Sequence, residues 1–217
     1  MPEEPRAALD RNPAHQVVLR LEHVLRARTP VEASVGVEGA RRAAVALILR
    51  ADDAGALALL MIQRAAYAGD PWSGHIALPG GREETGDASL AATAIRETRE
   101  ETAIDLARDG RIIGRLDDVQ PRTAVLPRII ITPFVAVLAA SAPPPLSLSP
   151  EVADAFWVPV AALCDPRTAT EVTLDLPGGP RRVRCFQHGG HTIWGLTERI
   201  LDQFLELLQT GSPRSRG

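Results

Sequence analysis

Three carboxylates fall within five residues in the run Arg96-Glu97-Thr98-Arg99-Glu100-Glu101. Residues three and four apart share a face of a helix, so Glu97, Glu100 and Glu101 come close enough to share a divalent cation. Hard oxygen donors suit Mg²⁺ or Mn²⁺ better than a thiolate-seeking metal, and a cation so held neutralises phosphate and activates water. Three neighbouring like charges repel, and near a helix C-terminus they also oppose the dipole. A bound cation accounts for the cluster better than helix stability does; a solvated acidic face is the competing reading.

The acids end a stretch, 88–102, with the clearest helical pattern in the chain, carrying Leu90, Ile95 and several alanines, with Asp87 or Ser89 as N-cap. Before it, Leu78-Pro79-Gly80-Gly81 lets the backbone turn sharply and approach the helix, bringing a backbone carbonyl within reach of the cation. No Lys-Ser/Thr pair follows, so this is not a Walker loop. Arg64 and Arg82 carry the fork geometry that grips phosphate, and either can pair with an acid instead. His75 is placed to orient substrate or Asp70, or to serve the fold. Tyr67 and Trp72 lie in a loop-like stretch suited to lining a pocket. His188 and His191 form a lone H-x-x-H, weak evidence for zinc.

Around these residues the pattern predicts a helix over 14–28, a β-hairpin of 41–50 and 57–63 about a turn at 52–55, and a short strand at 76–78. Further strands are expected at 111–118, 129–139 and 154–158, a short helix at 160–164, a strand pair at 170–176 and 181–186, and a final amphipathic helix over 193–208. The order is mixed α/β rather than repeated βαβ.

With 217 residues, 45% hydrophobic and 24% charged, the chain suits one folded domain with a sizeable core. A net charge of −3 without a basic block argues against long nucleic acids as partners. Cys164 and Cys185 form no C-x-x-C pair, which suits a reducing compartment. No apolar run reaches the roughly 18 residues of a membrane span, so no membrane partner and a cytoplasmic location are expected.

Taken together, these motifs resemble those of the Nudix hydrolases, whose box runs from a glycine through an acid to Arg-Glu-x-x-Glu-Glu-x-Gly. The match covers Gly81 through Ile104. Asp87 stands for the usual glutamate, eight rather than seven residues separate it from Arg96, and Ala103 takes the usual glycine position. The added residue is similar to the variant box of the coenzyme A pyrophosphatase-like branch. So are Trp72-Ser73-Gly74-His75-Ile76-Ala77-Leu78-Pro79-Gly80-Gly81 and Ile193-Trp194-Gly195-Leu196-Thr197, although that branch usually has Gly-Gln where this chain has Gly74-His75.

The resemblance implies a Nudix-type α/β/α sandwich with a mixed β-sheet over 40–209, an N-terminal extension with a helix at 1–39 and a flexible tail at 210–217. It implies Mg²⁺ or Mn²⁺ on Glu97, Glu100, Glu101 and the Gly80 carbonyl. Arg96 would orient the glutamates, Asp87 the loop-helix junction, and Glu100 would act as general base, with Glu151 as the alternative. Substrate would meet Arg64, Arg82, His75 and Tyr67. The expected reaction is cleavage of the diphosphate in a nucleoside diphosphate derivative, coenzyme A or an acyl-CoA first, with ADP-ribose, nucleotide sugars or dinucleotides as alternatives and a non-catalytic nucleotide-sensing module as the contrasting function. A homodimer through the N-terminal and final helices is the implied assembly.

Overall fold

In the computed structural model, which describes residues 13–33, 41–52, 54–122, 126–139, 145–176 and 179–210, the chain runs α1 (Pro13–Ala27), β1 (Arg41–Ala51), β2 (Leu57–Arg64), β3 (Ile76–Ala77), β4 (Gly80–Arg82), α2 (Leu90–Thr102), α3 (Leu106–Asp109) and β5 (Gly110–Arg115). It continues through β6 (Ile129–Leu138), β7 (Val152–Pro159), α4 (Val160–Cys164), β8 (Ala169–Leu176), β9 (Gly179–His188), β10 (His191–Trp194) and α5 (Gly195–Thr210).

β1 explains the layering. Ala44, Ala46 and Ile48 face one side and Leu47 and Leu49 the other, all fully buried. A strand covered on both faces has no polar side, so it reads as a continuous apolar run. The main sheet has the order β3-β2-β1-β6-β5, with β4 also pairing β1 and β7 pairing β2. β1 and β6 are parallel and the other pairings antiparallel, making the sheet mixed. On the Ile48 face, α2 and the segment after it pack Ala94, Ile104 and Leu106 against Phe134 and Ala136. On the Leu47 face, α1 and α5 contribute Leu21, Leu25, Leu201 and Phe204. A bidentate ion pair, Arg111 to Glu22 at 2.6 Å for each bond, ties α1 to β5. The result is the expected α/β/α sandwich. A second sheet of order β10-β9-β8 adjoins the start of α5. Among the described residues no helix is long and apolar enough to cross a membrane.

The β1–β2 hairpin forms as expected, its turn closed by Asp52 accepting the Ala54 and Ala56 N–H groups at 2.9 and 2.8 Å. The last helix, Gly195–Thr210, begins and ends two residues later than its apolar pattern suggests. Ile193 and Trp194 belong to β10, paired with Phe186 and Cys185, and Gly195 at φ 73° turns the chain into α5. β5 stops at Arg115, because Asp117 and Asp118 turn to bond the Val31 and Ala33 N–H groups of the segment after α1. β4 and α3 are additional elements in stretches where the sequence pattern predicts none.

Helix α2 ends on Ala103, held at φ 64° with its N–H on the Arg99 carbonyl at 2.9 Å. A left-handed alanine costs roughly 1–2 kcal/mol, partly offset in a glycine variant by the greater entropy of its unfolded chain. Ala103→Gly is expected to raise stability by about 0.5–1 kcal/mol, measured by urea denaturation; an unchanged or lower midpoint would contradict this.

Candidate active site

Ser89 caps α2 by accepting the Ala92 N–H at 3.2 Å, while Asp87 is engaged elsewhere. The helix packs against β1 and β4 with Thr93, Ala94, Thr98, Glu101 and Thr102 inward. Glu101 is only 4% exposed, and its carboxylate accepts the Gly80 N–H at 2.8 Å. Strand β4 is what brings that N–H there, through the pairing of Val45 with Gly80 and Ala44 with Gly81. Close approach of backbone dictates Gly80, and Gly81 leaves room for the Glu97 side chain. Gly80 lies at φ 148° and a Cβ there would overlap the Ala44 carbonyl, whereas a Cβ on Gly81 would fall 2.5 Å from the Glu97 carboxyl carbon.

Arg96 ties the acids together. Its guanidinium donates to both Asp87 carboxylate oxygens at 3.0 and 2.9 Å, to Glu97 at 3.0 Å, to Glu100 at 3.1 Å and to the Arg82 carbonyl at 3.0 Å. Asp87 also accepts from Thr93 Oγ1 and the Glu84 N–H, both at 2.9 Å. The Arg96 fork first, and then the Glu84 N–H, hold the Asp87 carboxyl well below the usual carboxylate range.

Glu97 and Glu101 are displaced the other way. Burial raises Glu97 against the pull of Arg96, with Glu100 and Glu151 adding repulsion. Burial pushes Glu101 up to about 8 against the Gly80 N–H, with Glu97 and Glu151 raising it further and Arg64 opposing. A carboxyl with a raised folded-state pKa favours the fold while protonated. The metal-free protein is therefore expected to lose stability as pH rises from the ordinary 4.5 of a glutamate to about 8. His75, lowered chiefly by burial, works in the opposite sense. The component due to Glu101 is isolated by comparing melting temperatures with Glu101→Gln across this range in EDTA; identical pH profiles would refute it.

Glu97, Glu101 and Glu151 line one cleft of about 680 Å³ together with Arg64, Arg82, Gly80 and Gly81. Trp72, His75, Trp194, Ile129, Ile131 and Leu196 also line it. His75 and Trp194 are in ring contact at 4.5 Å, joining the loop before β3 to β10. Arg64 is ion-paired to Asp70 at 2.8 Å. Glu100 is half exposed, engaged by Arg96, and does not line the cleft. Tyr67 also stands outside it, half exposed, with its hydroxyl donating to the Pro150 carbonyl at 3.1 Å. Trp157 lies away from the cleft under the Arg50 guanidinium, and His191 stacks on Phe156 at 4.1 Å.

The donor chemistry fits a hard cation: buried carboxyls that resist ionisation converge on one cleft, and no soft ligand lines it. Among the described residues no three His, Cys, Asp or Glu side chains already form a closed metal-binding group. Glu151 shares the cleft with Glu97 and Glu101, whereas Glu100 is bonded to Arg96 outside it. Trp194 and Ile129 line the cleft as well, although their apolar surroundings in the sequence point to packing. Gly195 immediately after Trp194 was the available sign that the helix starts later and leaves the ring at an edge.

The NUDIX domain model matches residues 40–175. The mitochondrial coenzyme A diphosphatase NUDT8 of Homo sapiens is 33% identical over 169 residues, covering 75% of this chain and 67% of that protein. An uncharacterized protein of Schizosaccharomyces pombe is 38% identical over 121 residues, covering 54% of this chain, which spans only 36% of that relative's length. The solved structure of a MutT/nudix family protein from Enterococcus faecalis shares the fold, with a TM-score of 0.51 at 17% identity over 95% of this chain and 72% of its own. With a family model matching most of its length and the acidic helix seated on the Gly80-Gly81 strand, the chain belongs to the Nudix hydrolase family.

Proposed function

We propose that the protein is a metal-dependent pyrophosphohydrolase that cleaves the diphosphate linkage of a nucleoside diphosphate derivative, with coenzyme A or an acyl-CoA as the first candidate. The observation that carries this reading is the buried Glu101 carboxyl on the Gly80 N–H, sharing a cleft with Glu97, Glu151, Arg64 and Arg82. The name of the human relative, a coenzyme A diphosphatase, supports the candidate substrate.

Glu97, Glu101 and a rotated Glu100 would hold Mg²⁺ or Mn²⁺, with the Gly80 carbonyl as a further ligand. A bound cation supplies charge neutralisation on the diphosphate and a lowered pKa for water. Arg64 and Arg82 grip phosphate oxygens from the cleft wall, fixing the phosphorus for in-line attack. Arg96 keeps Glu97 oriented. A carboxylate, Glu100 or Glu151, takes the proton of the attacking water as the new P–O bond forms and the bridging P–O bond breaks, leaving two phosphate monoesters.

A product-resolved screen of coenzyme A, ADP-ribose, dinucleoside polyphosphates and nucleoside triphosphates with Mg²⁺ and Mn²⁺ tests the proposal. The expected products from coenzyme A are phosphopantetheine and adenosine 3′,5′-bisphosphate. Absence of cleavage of every diphosphate with either metal would reject it; preference for another substrate by kcat/KM would reject only the coenzyme A assignment.

A further inference from the structure

Arg64 lines the cleft with Glu97, Glu101 and Glu151, and its resting partner is none of these three but Asp70. It leaves the end of β2 with its backbone N–H on the His75 carbonyl at 3.0 Å, and its guanidinium donates through Nη2 to Asp70 Oδ2 at 2.8 Å. Asp70 is itself fixed, its Oδ1 accepting the Trp72 N–H at 3.1 Å. The loop around it is self-bonded: Asp70 N–H to the Tyr67 carbonyl at 3.3 Å, Ser73 N–H to the Asp70 carbonyl at 3.1 Å, and Tyr67 N–H to Ser73 Oγ at 2.9 Å. The Arg64 Nε is buried without a hydrogen-bond partner among the described residues. Arg64 and Asp70 both line the cleft that holds Glu97, Glu101 and Glu151, and Glu101 senses the Arg64 charge.

A guanidinium beside several carboxylates pairs with whichever is best placed. Pairing with Glu97 or Glu101 would neutralise a group needed for the cation and withdraw the fork from substrate phosphate. We propose that Asp70 is a positioning residue that holds Arg64 out for the substrate diphosphate and away from the carboxylates of the cation site. This rests on the reading of the cleft given under Proposed function. Asp70 itself touches no reacting atom; it acts through Arg64.

The test uses the full chain with Asp70→Asn, Arg64→Gln, the double variant and Glu101→Gln. Asparagine keeps an oxygen for the Trp72 N–H, so the loop is preserved while the charge is removed. Mn²⁺ affinity of the resting protein is read by electron paramagnetic resonance, and binding of adenosine α,β-methylene diphosphate by calorimetry. Asp70→Asn is expected to weaken both by about tenfold, the scale of one charge-assisted hydrogen bond. In the Arg64→Gln background the same substitution is expected to change neither, and the double variant regains wild-type Mn²⁺ affinity because no guanidinium is left to compete. Arg64→Lys, which leaves the loop untouched, is expected to reproduce the loss of diphosphate affinity because a lysine cannot span the two sites with a fork. An inert Asp70→Asn, or an equal loss with and without Arg64, would overturn the proposal and reduce Asp70 to a loop scaffold. Mn²⁺ affinity unaffected by Glu101→Gln would overturn the reading of the cleft itself and the proposal with it.

Discussion

Replacing Glu101 with glutamine is expected to lower metal-dependent turnover by about a hundredfold or more, because even outer-shell partners of a metal cost 10–100-fold. The fold should survive. Glutamine retains an oxygen for the Gly80 N–H, now at 2.8 Å from Glu101, and removes a buried group whose carboxyl is pushed up to about 8. In EDTA near pH 8 the variant should melt at or above the wild-type temperature, since the desolvated charge is gone. Added Mn²⁺ should then stabilise wild type and leave the variant unmoved, because only a protein that binds the ion in its folded state gains from it. A variant that retained turnover within a few-fold of wild type would remove Glu101 from the ligand set. A variant that simply unfolded would make its role structural.

Arg96 is the second site of large expected effect, for a different reason. One guanidinium serves Asp87, Glu97, Glu100 and the Arg82 carbonyl, and its side chain is only 19% exposed. In Arg96→Met, Asp87 loses the interaction that holds it ionised and the glutamates lose their orientation together. Activity is expected to fall by about a hundredfold, and unlike Glu101→Gln the variant should also melt at a clearly lower temperature, because the enclosed Asp87 and Glu97 carboxylates lose the cation that pairs with them. Arg96→Lys should restore part of the stability and little of the activity, since an ammonium cannot hold two Asp87 oxygens, two glutamates and a carbonyl at once. Equal recovery of both would mean that charge alone, and not geometry, is what Arg96 provides. Steady-state kinetics and urea denaturation on the same samples decide this.

The contrast between these two residues also marks what a sequence can carry. Helix α2 is legible because thirteen consecutive residues keep one period and end in acids at spacings three and four. The β1–β2 hairpin is legible because two apolar runs flank a turn that Asp52 closes locally. Strand β4 is three residues long and β10 four, too short to show any period; β4 exists because of β1, far back in the chain, whereas β10 closes a tight hairpin on β9 across Gly189-Gly190. The same holds in the cleft. Glu97 and Glu101 are neighbours in sequence, but their raised carboxyls come chiefly from burial that the fold supplies, with a smaller contribution from Glu151, some fifty positions later. His75 could be placed beside Asp70 from the sequence, yet its ring contact is Trp194, which the apolar pattern assigned to a helix. Glu100 illustrates the reverse: spacing groups it with its neighbours, while the i,i+4 bond to Arg96 turns it outward.

The central claim is that Glu97 and Glu101 gather on one hard cation at the Gly80-Gly81 strand. Anomalous diffraction from a crystal soaked in Mn²⁺ addresses it without reference to any substrate. The expected result is a manganese peak within about 2.0–2.6 Å of carboxylate oxygens of both residues, with Glu100 swung off Arg96 toward it. A fully soaked crystal with no peak between them, and with both side chains unmoved, would contradict the account.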